Sequence, residues 1–235
     1  MSLVRDTAAW LADGEHWTGP DGVPARLLEH VTVSATSVVV AAALALPLAF
    51  WLGHTGRGGA LVVGLSNASR AVPTFAVLVL LVATPVGFGD RATVVALVLF
   101  AVPAILTNAY IGVRDVDRDA RDAALGMGMS GGQLLRRVEI PLALPLVAAG
   151  IRTASVQVVA TATLAAYVGG GGLGRFVADG FGRADPGMTA AGGVLVALLA
   201  LVTEVSLGAV QRRVTPGEKR RRRPVVAQDV QPVQV

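Results

Sequence analysis

VTVSATSVVVAAALALPLAFWL, residues 31–52, is the stretch that decides the fold. It carries no charged side chain, and it is long enough for its purpose, because a helix needs about 20 predominantly apolar residues to cross the hydrocarbon of a bilayer. Its apolar residues are not confined to one face. A surface helix of a soluble domain would show a polar stripe, whereas a helix in lipid or inside a packed bundle shows none.

Four further segments have the same character, at residues 60–84, 92–113, 141–168 and 189–210. Small residues crowd two of them, as in ASVQVVATATLAA (154–166) and AAGGVLVALLA (190–200). They let helix backbones approach closely where lipid supplies no hydrophobic drive for association. The expected fold is therefore all-α, a polytopic membrane helix bundle with about five transmembrane helices.

Composition agrees. Apolar residues make up 53% of the 235-residue chain and charged residues 15%, and the mean hydropathy is +0.62. Soluble domains carry about a quarter charged residues. The absence of cysteine excludes disulfides, thiolate metal sites and cysteine nucleophiles. His16, His30 and His54 have no metal-ligand spacing, so no metal site is expected.

The net charge of +4 does not point to nucleic acid, because the basic residues flank apolar segments. They read as a topology signal instead. With the N-terminus outside, Arg57, then Arg114, Arg118, Arg121, Arg136 and Arg137, then the C-terminal cluster all fall on the cytoplasmic side. The expectation is N-terminus out and C-terminus in. Residues 1–29 lack the apolar core of a cleaved signal and are expected to form an extracytoplasmic segment. Residues 212–235, basic and containing Pro and Gln, are expected to be a disordered cytoplasmic tail.

One loop between spans is long and patterned: RDVDRDARDAALGMGMSGGQLLRRVEIP, residues 114–141. Ala120, Ala123, Ala124 and Leu125 favour a short helix, in which Arg118 and Asp122 stand four apart and can pair. Asp122 can also cap that helix or meet a partner's basic group. Four glycines interrupt the run, with Gly128 suited to a turn closed to most side chains. A second short helix then precedes the next span, which Pro141 starts where its missing N–H costs little.

The order D-A-A, three residues, Gly, nine residues, V-x-I-P falls on Asp122, Ala123, Ala124, Gly128, Val138, Ile140 and Pro141. It resembles the EAA loop of the permease subunits of binding-protein-dependent ABC importers, with Asp for Glu, Val for Ile and Ile for Leu. The segments at 28–50, 69–81 and 124–174 look like the osmoprotectant branch of that family. Residues 30–211 are accordingly expected to form one type I ABC importer transmembrane domain.

The resemblance implies several partners: a cytoplasmic ATP-binding subunit that grips the loop, a second permease copy or a related permease, and an extracytoplasmic solute-binding protein. It also implies the bacterial inner membrane as the location. Nothing would be catalysed by this chain. It has no Walker A motif, since GGGGLG at 169–174 lacks the following Lys-Ser/Thr, so ATP and Mg would be used by the partner. The implied cargo is glycine betaine, choline, carnitine or proline betaine. Another small solute such as an amino acid, an ion-coupled secondary transporter, or a scaffold without transport remain open readings.

Polar residues inside the spans offer a candidate translocation path in Arg152, Gln157, Thr161 and Tyr167, with Asn67, Asn108 and Thr163 as further polar positions. Interhelical hydrogen bonding is the competing role for each. Arg70, Arg152 and Glu204 are ionisable groups in or near apolar segments, where they need partners or water. The glycine run at 169–174 reads as flexible backbone at the outer end of the fourth span.

Overall fold

A computed structural model describes residues 2–215, and within them every regular element is helical. In chain order these are α1 (Leu3–Ala12), α2 (Val23–Thr55), α3 (Gly59–Ala71), α4 (Thr74–Val82), α5 (Asp90–Arg114), α6 (Arg118–Gly126), α7 (Gly131–Leu134), α8 (Ile140–Ala162), α9 (Gly174–Gly182) and α10 (Pro186–Val214). Four helices are long and apolar enough to cross a membrane, or five if the bent pair α3 and α4 counts as one span.

That bent pair departs from the straight span expected at 60–84. The two halves meet at 82°. Pro73 causes the break. Its ring disfavours helical geometry in the residue before it, and Val72 is extended at φ −89°, ψ 120°. Neither half alone reaches the length of a span: their 13 and 9 residues rise only about 20 and 14 Å at 1.5 Å per residue.

The core lies where α2, α5 and α8 cross. Ala41, Ala45 and Ala49 form a stripe at four-residue spacing on α2, each at most 1% exposed, and meet Leu97, Ala101, Ile105 and Leu106 of α5 in one cluster. On the other side of α5, Gly150 of α8 sits so close that a Cβ there would lie 2.7 Å from the Asn108 Cβ. Small residues set these crossings, as close helix approach in lipid requires.

The N-terminal segment is not detached from the bundle. Trp10 stacks on His16 with ring centroids 4.1 Å apart, meets Phe176 edge-on at 5.1 Å, and shares a cluster with Val23, Leu173, Ala191 and Val196. Nor does the glycine run hang free. Glu29 accepts a hydrogen bond from the Gly172 N–H at 2.8 Å, and Asp90 accepts one from Gly171 at 3.3 Å, tying the turn to α2 and α5. At the other terminus α10 continues to Val214, so Arg212 and Arg213 lie in its last turn. The rest of the expected basic tail, residues 216–235, lies outside the described residues.

Candidate functional site: the 114–141 loop and a polar cleft

Local sequence builds the loop in two halves. Asp117 caps α6 by accepting from the Asp119 N–H at 2.8 Å. The cap is therefore Asp117, and Asp122 stands mid-helix and exposed. The helix ends at a left-handed residue: Gly128 has φ +82°, and the Met129 N–H bonds back to the Ala124 carbonyl at 3.2 Å. A Cβ on Gly128 would meet nothing within 4 Å, so the demand for glycine is conformational rather than steric.

Ser130 then opens α7 with a reciprocal capping box to Gln133. Beyond it, no separate short helix forms of the kind expected before the fourth span. The chain is helical without interruption from Gly131 through Val168, with one π turn at Leu135–Glu139. Pro141 lies just beyond that turn. A proline within a helix removes one hydrogen bond and crowds the carbonyl four residues back, and the wider π turn sits at that place. Single π turns of this kind concentrate at functional sites.

The motif residues divide by exposure. Asp122, Ala123, Gly128 and Pro141 face outward, Val138 and Ile140 are half-buried, and Ala124 is 2% exposed. Only one of the two alanines is thus exposed; Ala124 seats α6 against its own chain. Leu125 and Met127, 49% and 72% exposed, extend the outward surface with apolar side chains.

At the centre of the loop is a charge that sequence reasoning missed. Glu139, in the π turn, is fully buried. Its Oε2 accepts a hydrogen bond from His54 Nδ1 at 2.6 Å, at the end of α2, and its Oε1 lies 3.0 Å from Arg121 Nη2 of α6. The second contact is an ion pair without hydrogen-bond alignment. Among the described residues no ion contact joins Arg118 to Asp122; the arginine that pairs is Arg121. The sequence held one signal: an acid directly beside the apolar Leu134, Leu135 and Val138 needs a partner if that face is buried.

The polar span residues separate into two places. A cleft of about 370 Å³ opens between α3, α5 and α8, and its polar lining is Ser66, Ser69, Thr107, Asn108, Thr153 and Gln157. That volume is within the range of small-molecule sites, about 300–1,000 Å³. Among the described residues the polar lining consists of hydroxyls and amides, with no ionisable side chain. Thr161 follows Gln157 by four residues and shares its face of α8. Tyr167 stands farther along, half exposed, with its ring edge-on to Phe75 at 6.1 Å.

Arg152 is elsewhere. Its Nε donates to Glu204 Oε2 at 2.9 Å, its Nη2 pairs with the other carboxylate oxygen, and its Nη1 donates to Gln211 Oε1 at 2.9 Å. All three bonds point to α10, away from the cleft. The structure therefore brings Gln157 together with Asn108 and leaves Arg152 in a closed pair.

Comparison with known proteins agrees with this architecture. The family model described as binding-protein-dependent transport system inner membrane component matches residues 43–216. The chain is 37% identical to the carnitine transport permease protein of Listeria monocytogenes over 188 residues, covering 80% of this chain and 86% of that one. It is 36% identical to the glycine betaine/carnitine/choline transport system permease protein of Bacillus subtilis, with the same coverage. Among solved structures, an inward-facing form of the MetNI methionine ABC transporter superposes with a TM-score of 0.70 at 22% identity, covering 80% of this chain and 94% of that one.

Proposed function

The chain belongs to the family of binding-protein-dependent transport system inner membrane components, and from that premise we propose that it is the membrane-spanning permease subunit of an ATP-driven importer of osmoprotectants. The cargo class is glycine betaine, carnitine, choline or a close analogue, the substrates that the names of its relatives print. A second copy, or a related permease, closes the cleft into a path. A cytoplasmic ATP-binding subunit supplies the energy, using ATP and Mg that this chain does not bind. A solute-binding protein delivers the cargo on the other side.

The observation that carries this reading is the 114–141 loop. It presents the exposed Asp122 and Ala123 on a short helix closed by a left-handed Gly128, a small surface suited to a groove in the ATPase. Asp122, Ala123, Ala124, Gly128, Val138, Ile140 and Pro141 form this coupling element. The loop faces the cytoplasm and the N-terminus lies outside, in keeping with arginine placement. Residues 30–211 are the transporting domain.

The cleft favours the same cargo class. A quaternary ammonium or its zwitterion would be repelled by an unpaired cation, and Arg152 is neutralised by Glu204 outside the cleft. Gln157 and Thr161 line the path; Tyr167 lies beyond the end of α8, with its ring against Phe75. Few aromatic side chains are available for cation–π capture, so tight recognition belongs to the binding protein.

The test is uptake of labelled glycine betaine by vesicles holding this chain, its ATPase and its binding protein. Wild type should show ATP-dependent uptake, and Asp122→Lys should insert normally, fail to retain the ATPase and lose uptake. Uptake driven by an ion gradient without ATP would overturn the reading. ATP-dependent uptake of methionine but not betaine would overturn only the cargo.

A further inference from the structure

We propose that Glu139 is the positioning residue that makes the 114–141 loop move as one body with α2 and α8. The inference rests on the importer reading above and assigns a role to residues that the D-A-A…G…V-x-I-P pattern leaves unspecified. A loop gripped by an ATPase transmits force only if it is stiffly joined to the spanning helices. Helix α6 is short, 9 residues, and within the chain it packs on the π turn and α7. Among the described residues its one ionic tie to the bundle is Arg121 to Glu139.

Glu139 carries that tie onward. The same carboxylate accepts from His54 at the end of α2, and its own backbone is continuous with α8. Three elements therefore converge on one fully buried carboxylate: α6 through Arg121, the distant α2 through His54, and α8 through the chain itself.

The energetics favour a stiff joint. A buried carboxylate separated from its partners leaves an uncompensated charge, which is strongly unfavourable. Pulling α6 away from the π turn would create that state, so displacement of α6 drags the carboxylate, and with it α2 and α8. Because Arg121 remains about a quarter exposed and the carboxylate does not, the arginine is the arm and the glutamate the anchor. Removing the anchor's charge leaves the loop able to hold the ATPase yet loosely joined to the path. The signature is uncoupling: ATP is hydrolysed and cargo is not moved.

The experiment reconstitutes the full complex in proteoliposomes and measures labelled glycine betaine imported per ATP hydrolysed. Glu139→Gln preserves shape and removes charge, Arg121→Met cuts the arm at a partly exposed site, and Arg121→Lys restores the ion pair. The expected ratio falls by between about two- and thirtyfold in Glu139→Gln and Arg121→Met, the range of coupling changes seen along such networks. Arg121→Lys should stay closer to wild type than Arg121→Met, within about twofold, with ATP hydrolysis retained in all variants.

A ratio unchanged in Arg121→Met overturns the proposal, whether or not Glu139→Gln assembles. Parallel loss of uptake and hydrolysis at constant ratio also overturns it, because that marks a purely structural role. A wild-type complex without ATP-dependent uptake would instead sink the importer reading.

Discussion

Replacing Gly150 with alanine should push α5 and α8 apart, and the structure gives the scale. An alanine Cβ at this position would lie 2.7 Å from the Asn108 Cβ and 3.4 Å from the Ala104 carbonyl oxygen. Carbon atoms pack best at about 3.5–4.0 Å, so the helices must separate locally by about 1 Å. No rotamer change relieves the clash, because the Asn108 Cβ is fixed by its backbone. Overpacking of this kind costs about 1–3 kcal/mol. Helix propensity acts in the opposite direction, since Gly→Ala in a helix interior is favourable by about 1 kcal/mol. Gly193→Ala in α10 isolates that gain, because a Cβ there meets nothing within 4 Å. Unfolding by sodium dodecyl sulfate titration from dodecyl maltoside micelles, followed by tryptophan fluorescence, should therefore place Gly150→Ala about 1–3 kcal/mol below Gly193→Ala. Asn108→Gly removes the clashing carbon, so Asn108→Gly with Gly150→Ala should be more stable than the sum of the single changes predicts. Equal stability of the two alanine variants, or strict additivity in the double variant, refutes the close crossing.

Trp10→Ala removes the residue that joins α1 to α9 and α10. It should cost about 3–5 kcal/mol in the same titration, and a loss below about 1 kcal/mol would show that the N-terminal segment does not pack as described. At Gly128, where φ is +82°, alanine should cost about 1–2 kcal/mol and asparagine less; the order is checked by thermal unfolding, and equal values would contradict the left-handed turn. The native chain has no cysteine, so single cysteines report accessibility without background. Thr153→Cys and Gln157→Cys, lining the cleft, should react with a charged maleimide in membranes, whereas Leu198→Cys on the exposed apolar face of α10 should not. Equal labelling at all three would deny that the cleft holds water.

The long helices were legible in sequence because the bilayer fixes their length, and 31–52 or 92–113 can satisfy their backbones in no other way. The expected starts and ends were short by up to two turns: α2 begins at Val23 and α10 ends at Val214. Helices overrun the hydrocarbon wherever polar side chains can stand in water, and hydropathy does not register that. The bend at Val72–Pro73 had a local cause in view, but proline inside a span is tolerated often enough (Pro47, Pro103 and Pro145 all lie within helices here) that it decides little alone. For the π turn Pro141 marks the place, but five residues are too few to separate its period from 3.6.

The loop divides along the same line. Its outward half was readable because the residues a partner meets follow local rules: helix formers, then a glycine with positive φ. Its inward half was not, because the residue that completes it lies 85 positions away at His54. A histidine with no metal-ligand spacing reads as incidental until its neighbour is a buried carboxylate. Arg152 shows the converse. In sequence it is a lone cation in an apolar span and invites a functional role, yet Glu204, 52 residues on, closes it into a pair. Both cases follow from one constraint. A charge removed from water must be met by another group, and a bundle of separate helices supplies that group from a distant segment. Sequence can therefore announce that an ionisable residue in a span needs a partner, while only the helix crossings show whether the partner leaves it facing the path or takes it out.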